Sequence, residues 1–443
     1  MNGTILAPAN EFISKDLNIS NTNFPNIYWM TASWGIGAAL IPLLTFPAME
    51  DLGVRPVLLG TYLCFTCFLI PVPLAKNFYT LVIARFFSGG CVPLMSDAVA
   101  SIASNVFSTD EGRSVPKALY VCVYLGSTSL GPVLGAAVLK YLDWRWIGYV
   151  ELKLTAAMFP VFFFGLPESR GAAILRSRAK SMRKAGQKAH TPQELDPTPL
   201  RQAVKKSLQR PLYMLCTESV VFVAALWAAF SLGSIYLFTD SVTLVYRDLY
   251  NWTPAQSGFA QISIVIGEIL GAAFSLSTNH WYTSSASRNT EVPNTPIPEA
   301  RLYAAIVGGF FGVTGGMLVY AWAAYPGIHW IGITIGLCMV GFGTTAVVIS
   351  IANYLVDAYA KYAASALGAV GFVENLSIAF LPLAAPALYN DLGMRWASTL
   401  LGLVSLVLVG MPFVVIRWVK EIRARSPFMK EAVIERRVSV EEV

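Results

Sequence analysis

The sequence predicts an all-α integral membrane protein made of two helical bundles, with about eleven transmembrane helices. Hydrophobic residues make up 55% of the 443 residues, charged residues 13%, and the mean hydropathy is +0.56. A soluble domain carries about 25% charged residues, so burial in a soluble core does not account for this chain. The apolar stretches are about 20 residues long, which matches a hydrocarbon core about 30 Å thick. They do not alternate with polar residues, and this favours helices over barrel strands.

A basic, polar stretch at 168–210 divides the apolar segments into two groups. It contains eleven lysines and arginines against three acidic residues, Glu168, Glu194 and Asp196. Basic loops of membrane proteins face the cytosol, and we therefore place this one there. The predicted units are an initial segment 1–26, an amino-terminal bundle 27–167, the linker 168–210, a carboxyl-terminal bundle 211–419 and a cytosolic tail 420–443.

Eleven apolar windows predict the transmembrane helices, five before the linker and six after it. They are 27–49, 57–75, 79–101, 118–141, 146–166, 212–238, 257–276, 302–323, 330–352, 364–388 and 396–419. Alternating sides from a cytosolic linker places the amino terminus outside and the carboxyl terminus inside, and most loop lysines and arginines then fall inside. The sequons that begin at Asn18 and Asn251 fall in outer segments, so we predict glycosylation there.

The fourth apolar window contains closely spaced small residues and a proline, Gly126-Ser-Thr-Ser-Leu-Gly131-Pro132-Val-Leu-Gly135-Ala136. Small residues allow membrane helices to approach closely. The spacing resembles the antiporter motif in the fifth helix of exporters of the major facilitator superfamily. Asp143-Trp-Arg-Trp146, which follows, is similar to the tag after that helix in fungal members.

Other landmarks occur in the order of the same family. They are the cytosolic turn Glu50-Asp-Leu-Gly53-Val-Arg55, the helix motif Arg85-Phe-Phe-Ser-Gly89 and the linker start Leu166-Pro-Glu168-Ser. The turn has Val54 where the family has arginine, and this predicts a weakened cytosolic latch. Leu6-Ala-Pro8-Ala9 resembles the outer end of the family's first helix. The resemblance therefore leads us to expect that most of that first helix is lacking.

The resemblance covers nearly the whole chain and implies a fungal drug:proton antiporter that exports small organic molecules. It implies the lipid bilayer, a small organic substrate and protons as partners, a monomer, and the plasma membrane or the vacuolar membrane as location. We expect no cofactor. Two alternatives stay open: a facilitator-fold protein that no longer transports, and a carrier for uptake, for example of polyamines.

Four charged residues inside the apolar windows are candidates for proton coupling or for lining a central cavity: Arg85, Asp97, Glu268 and Glu374. An ionisable group at the centre of a membrane helix costs at least about 2.5 kcal/mol and needs a partner or a cavity. The alternatives are an arginine that snorkels to the outer interface, an aspartate bonded near the cytosolic interface, and glutamic acids that only pack. Arg85 and Asp97 are twelve residues apart, about 18 Å along one helix, and cannot pair directly.

Four aromatic residues are candidates for stacking on a flat or cationic substrate: Trp34, Trp227, Tyr236 and Tyr354. Tryptophan and tyrosine near the ends of membrane helices more often form the interfacial belt. Trp227 and Tyr236 are nine residues apart on one helix and lie on roughly opposite faces, so at most one can face a cavity.

Enzyme, metal-binding and nucleic-acid-binding functions find no support in the sequence. The three histidines do not cluster, no nucleophile elbow or phosphate-binding loop is visible, and the six cysteines show no metal-ligand spacing. Because topology already explains the basic linker, it gives no reason to expect nucleic acid as a partner.

Overall fold

The computed structural model describes residues 1–21, 26–107, 110–191, 194, 200–289, 295–325 and 327–431. All regular secondary structure in these ranges is helical. The helices form two groups, one on each side of the linker, and the second group ends in a short amphipathic helix near the carboxyl terminus.

The amino-terminal group contains one short helix and five long ones. They are α1 (Asn10–Asp16), α2 (Trp29–Leu52), α3 (Val54–Leu69), α4 (Phe78–Val106), α5 (Asp110–Leu139) and α6 (Arg145–Gly165). A 3₁₀ turn, Ala7–Ala9, precedes α1. Helix α4 packs against both α2 and α3, and α3 packs against α6.

The linker contributes two helices, α7 (Gly171–Lys184) and α8 (Leu200–Thr217). The sequence prediction of a span starting at residue 212 is wrong at this point. The chain leaves the helical conformation at Glu218, and the spanning helix α9 is Ser219–Tyr250. Residues 212–217 are largely apolar, but they form the end of α8. A hydropathy window joins them to the next helix because it does not detect a break of one residue. Helix α9 ends at Asn251, which has a left-handed backbone conformation that asparagine tolerates.

The carboxyl-terminal group continues with nine further helices and one π-helical segment. They are α10 (Pro254–Ala260), α11 (Ile262–Ser277), α12 (Asn279–Ser284), α13 (Leu302–Val307), the π segment (Gly308–Thr314), α14 (Gly315–Ala323), α15 (Trp330–Tyr359), α16 (Ala363–Asp391), α17 (Gly393–Arg417) and α18 (Val419–Arg425). Helix α13, the π segment and α14 follow one another without interruption and form a single rod.

Within the described ranges, nine stretches are long and apolar enough to cross a membrane. One of them, Trp330–Asp391, contains both α15 and α16, and the apolar helix Val54–Leu69 is slightly too short to be counted among the nine. All eleven helices expected from the sequence are therefore present, and the all-α prediction is confirmed.

Glycines allow the closest helix contacts inside each group. A Cβ atom on Gly267 of α11 would overlap the carbonyl oxygen of Cys338 on α15, and one on Gly341 would overlap the carbonyl oxygen of Ile264. The approach of α2 to α4 depends in the same way on Gly37. In lipid the hydrophobic effect does not drive helices together. Small residues let the backbones of two helices approach closely, and the resulting van der Waals contacts hold the helices together.

The two groups meet along α2 and α16 and along α5, α10 and α11. Small residues form this interface as well. A Cβ on Gly35 of α2 would lie 2.8 Å from the backbone nitrogen of Ala379 on α16, and Gly258 of α10 faces Ala136 of α5. Candidate site residues lie along this interface. The end near α7 and α8 is called the linker side, and the opposite end is called the far side.

Candidate functional site

Arg85 lies fully inside the amino-terminal group, with 1% of its surface exposed. Its two terminal guanidinium nitrogens donate to the backbone carbonyl oxygens of Asn2, at 2.5 Å, and Gly3, at 2.8 Å. Its Nε atom is buried without a partner. The side chain does not snorkel to an interface, because it is held at depth by the initial segment of the chain.

The initial segment also covers the glycines of the motif in α5. Thr4 donates to the carbonyl oxygen of Thr128 at 2.6 Å. A Cβ on Gly131 would overlap the Thr4 hydroxyl, and one on Gly135 would overlap the carbonyl oxygen of Ile5. These glycines therefore form the surface on which the first residues of the chain lie.

The remaining motif residues face the carboxyl-terminal group. The carbonyl oxygen of Pro132 lies against Gly258 of α10, and Gly126 faces the side chain of Glu268 on α11. One face of α5 thus contacts the initial segment and another contacts the opposite bundle.

Glu268 forms the polar contact between the two groups at this depth. Its side chain has 0% of its surface exposed, and its Oε1 atom accepts a hydrogen bond from Ser129 of α5 at 2.8 Å. Its Oε2 atom is buried without a partner. Burial of a carboxyl oxygen with no hydrogen bond is costly, and the cost is larger when the carboxyl group is ionised.

Trp34 and Tyr236 stack on each other across the interface. Their ring centroids are 6.1 Å apart with an angle of 28° between the planes, and they join α2 to α9. Leu125, Leu232 and Ile378 pack around the pair, and this cluster is buried. The indole nitrogen of Trp34 donates to the side-chain oxygen of Asn2 at 2.7 Å. The cluster closes the centre of the interface.

Trp227 and Tyr354 belong instead to the interior of the carboxyl-terminal group. Both are buried in its main apolar cluster, and the Trp227 ring lies against Gly309 and Val409. The Trp227 indole nitrogen and the Tyr354 hydroxyl are buried without partners. The structure therefore brings only Trp34 and Tyr236, among the four aromatic candidates, to the interface between the groups.

Asp97 of α4 and Glu374 of α16 lie nearer the linker side. Both are partly exposed, and they are close enough to interact electrostatically across the interface. The hydroxyl groups of Ser96 and Tyr120 are hydrogen-bonded beside Asp97, and Tyr124 lies within electrostatic reach of both carboxyl groups. The two acids and the two tyrosines form a second polar region on the linker side of the Trp34–Tyr236 stack.

Two buried acids were missed by sequence reasoning. Glu151 of α6 accepts a hydrogen bond from the Asn2 amide nitrogen at 2.9 Å, and Asp240 of α9 accepts one from Asn10 at 3.2 Å. Asp240 lies beyond residue 238, where the predicted window ended, and so looked like part of an outer loop. Glu151 lies inside the predicted window 146–166, and its burial depends on a contact with Asn2, which is 149 positions earlier in the chain.

The cytosolic turn is held by the first acidic residue of the linker. The Glu168 carboxylate accepts hydrogen bonds from the backbone N–H groups of Val54 and Arg55, at 3.2 and 3.1 Å, and from the next two residues of the linker itself. Gly53 has φ +100°, which glycine adopts without strain. Arg55 donates to the Phe163 carbonyl oxygen at 2.9 Å. The side chain of Glu50, the remaining residue predicted for this turn, lies outside the described part of the chain.

Comparison with known proteins identifies the family. The model of the Major Facilitator Superfamily matches residues 1–381. The chain belongs to the major facilitator superfamily. It is therefore a multi-pass membrane transporter that acts on small substrates, and not an enzyme.

Several curated proteins that this chain resembles are fungal. The chain is 32% identical over 396 residues to an MFS-type transporter of Aspergillus oryzae, which covers 88% of this chain and 76% of the relative. It is 31% identical over 402 residues to an efflux pump of Aspergillus terreus, with 88% and 82% covered. It is 30% identical over 406 residues to a multidrug transporter of Candida albicans, with 90% and 65% covered. These names confirm the predicted resemblance to fungal facilitators.

Among solved structures, the human organic anion transporter MFSD10 (TETRAN) has the same fold. The TM-score is 0.62 at 17% identity, and the match covers 92% of this chain and 89% of the human protein. Two bundles with a central interface are the architecture that facilitators use to expose a midplane site alternately to the two sides of the membrane.

Proposed function

We propose that this facilitator exports small organic molecules in exchange for protons by alternating access. The observation that carries the proposal is Glu268, a fully buried carboxyl group that joins the two bundles through Ser129 and has one oxygen without a partner. A group of this kind changes its contact with the opposite bundle when it gains or loses a proton, which is what coupling requires. The efflux-pump names of the fungal relatives support the outward direction.

Contacts on the far side keep the two bundles together there in this conformation. Glu11 of α1 pairs with Arg247 of α9, and Asn10 donates to Asp240 two turns earlier on the same helix. The far side corresponds to the outside of the cell if the linker is cytosolic. We infer that a substrate enters from the linker side and is held below the closed Trp34–Tyr236 stack.

The linker-side polar region is where we place the first contact with substrate. Asp97 and Glu374 provide carboxyl groups from the two bundles, and Tyr120 and Tyr124 provide aromatic faces beside them. Opening of the far side separates Trp34 from Tyr236, and both rings then become available for stacking. Arg85 stays inside the amino-terminal bundle and positions the initial segment.

Replacing Glu268 with glutamine tests the coupling. Glutamine keeps the volume and the hydrogen bond with Ser129 but cannot ionise. In proteoliposomes, we expect Glu268→Gln to reduce rhodamine 6G transport driven by a pH gradient at least about tenfold, whereas dye exchange without a gradient continues.

Two serines of the same motif provide a matched control for this test. Ser129→Ala removes the contact with Glu268, whereas Ser127 donates to the Tyr124 carbonyl oxygen of its own helix. We expect Ser129→Ala to weaken gradient-driven transport and Ser127→Ala to leave it unchanged. Wild-type gradient dependence in Glu268→Gln would contradict the role of Glu268. If the wild-type protein itself moves no dye in either direction, the chain is a non-transporting facilitator, and dye movement inward would favour uptake.

We also propose that the far side carries N-linked glycans, that the protein works as a monomer, and that it resides in the plasma membrane or the vacuolar membrane. Asn18 and Asn251 are exposed at loop positions, whereas Asn375 of the sequon Asn375-Leu-Ser lies within α16 and bonds to the Gly371 carbonyl oxygen. In a fungal host, Asn18→Gln and Asn251→Gln should each remove one glycan shift on a gel. Asn375→Gln should change nothing, and a shift caused by Asn375 would reverse the assignment.

A further inference from the structure

Asn2 connects three helices of the amino-terminal bundle at a buried position, two through its side chain and one through its backbone carbonyl group. Its oxygen accepts from Trp34 of α2, its nitrogen donates to Glu151 of α6, and its backbone carbonyl accepts from Arg85 of α4. Asn2, Glu151 and Trp34 are all buried. No other described side chain joins a buried acid to the aromatic stack at the bundle interface.

Chemistry fixes the orientation of this amide. An indole nitrogen can only donate, so the atom of Asn2 that faces Trp34 must be the oxygen. The amide nitrogen then points at Glu151 and needs an acceptor there. A carboxylate provides this acceptor at 2.9 Å, and an ionised acceptor makes the bond stronger than a neutral one.

The surroundings of Glu151 are defined by few charged groups. The Arg85 guanidinium is the side-chain cation that acts on it electrostatically, and Arg85 itself donates to the backbone carbonyl oxygens of Asn2 and Gly3. Thr155, one turn later on α6, donates its hydroxyl to the Glu151 backbone carbonyl oxygen. The backbone carbonyl oxygen of Thr155 accepts a hydrogen bond from the Tyr62 hydroxyl of α3. The Asn2 amide is thus the direct side-chain partner of the carboxyl group that the structure identifies.

We propose that Glu151 is a second proton-linked residue and that the Asn2 amide carries its state to the Trp34–Tyr236 contact. When Glu151 takes up a proton, it becomes a weaker acceptor, and its own O–H group needs an acceptor. The hydrogen bond between the Asn2 amide nitrogen and Glu151 then weakens, and the amide group is free to rotate. As a result, Trp34 loses an acceptor of fixed orientation. Since Trp34 stacks on Tyr236 of the opposite bundle, a proton bound inside one bundle changes the contact that closes the interface.

This inference rests on the proposed function. Exchanging the side chains at positions 2 and 151 tests the relay separately from the export function. Asn2→Asp places two carboxyl groups face to face and removes the only donor between them. We expect this variant to lose at least about tenfold of its gradient-driven rhodamine 6G transport, which corresponds to about 1.4 kcal/mol. Glu151→Gln keeps an acceptor for the amide but cannot titrate, so its transport should lose part of its dependence on pH.

The double variant Asn2→Asp with Glu151→Gln exchanges the amide and the carboxyl group. Aspartate at position 2 still accepts from Trp34, and glutamine at position 151 donates to it. We expect transport to recover to within about threefold of the wild type if the bonded pair is what matters. A double variant no better than Asn2→Asp alone, in a protein that is present in normal amount in the membrane, would overturn the relay.

A second readout does not require any substrate. The difference in fluorescence between the wild type and Trp34→Phe isolates Trp34 from the other ten tryptophans. We expect the Trp34 emission to shift with pH in the wild type and to stay constant in Glu151→Gln. Constant emission in both proteins would overturn the inference. A shift in a protein that moves no dye would instead leave the relay standing and remove the export function.

Discussion

Replacing Arg85 with lysine is expected to abolish transport, with a loss of at least about 100-fold in gradient-driven rhodamine 6G efflux. The guanidinium makes two hydrogen bonds at once, to the carbonyl oxygens of Asn2 and Gly3. Lysine presents one compact ammonium group and does not reproduce this planar fork. The variant therefore leaves a buried carbonyl without its donor and a buried cation with fewer partners, and breaking a buried charge contact costs about 3–5 kcal/mol.

The rate is measured in proteoliposomes at equal protein density, and Arg395→Lys serves as the control. Arg395 lies at the start of α17, over the ring of Tyr325, and is partly exposed. The Arg395→Lys variant should transport within about twofold of the wild-type rate, since exposed charge contacts contribute little. Full activity of Arg85→Lys would show that one donor is enough to hold the initial segment, and it would remove the requirement for a planar fork.

Replacing Gly267 with alanine is expected to produce a large loss of stability for a single added methyl group. Its Cβ would overlap the Cys338 carbonyl oxygen and would lie 2.8 Å from the Phe342 nitrogen, and both of these atoms belong to the backbone of α15. A backbone cannot rotate away as a side chain does, so α11 must move. Overpacking of this kind costs typically about 1–3 kcal/mol.

The measurement is thermal unfolding of the purified protein in detergent. Gly410→Ala is the matched control, because Gly410 also lies in a long apolar helix but a Cβ there meets nothing within 4 Å. We expect Gly267→Ala to unfold several degrees lower and Gly410→Ala to unfold at or above the wild-type temperature, since alanine favours the helix. Equal unfolding temperatures for the two variants would contradict the close packing of α11 on α15.

Much of the architecture follows from the sequence, because the requirement for apolar helices of membrane length is strong. All eleven helices were expected, and the motif in α5 led to the family. The failures have local causes. The break at Glu218 occupies one residue, and α9 continues to Tyr250, so Asp240 was assigned to a loop.

The candidate site was harder to predict because it depends on which helix faces which. Nothing in the sequence places Asn2 between Trp34 and Glu151, since these residues are far apart along the chain. The opposite-face argument allowed only one of Trp227 and Tyr236 at a cavity, but it could not choose between them. The choice follows from the partners, Gly309 for one and Trp34 for the other.

The contacts of Gly35 with Ala379 and of Gly258 with Ala136 also affect how quickly the two bundles can move relative to each other. Where two surfaces consist of backbone and methyl groups, one can slide on the other without large side chains having to change rotamer. We expect the activation barrier for exchange between outward- and inward-facing forms to lie in the remaining contacts, the Trp34–Tyr236 stack and the polar pairs Glu268–Ser129, Asn10–Asp240 and Glu11–Arg247. We expect turnover to be limited by how quickly these contacts break and form again, because the small-residue contacts can slide with little rearrangement.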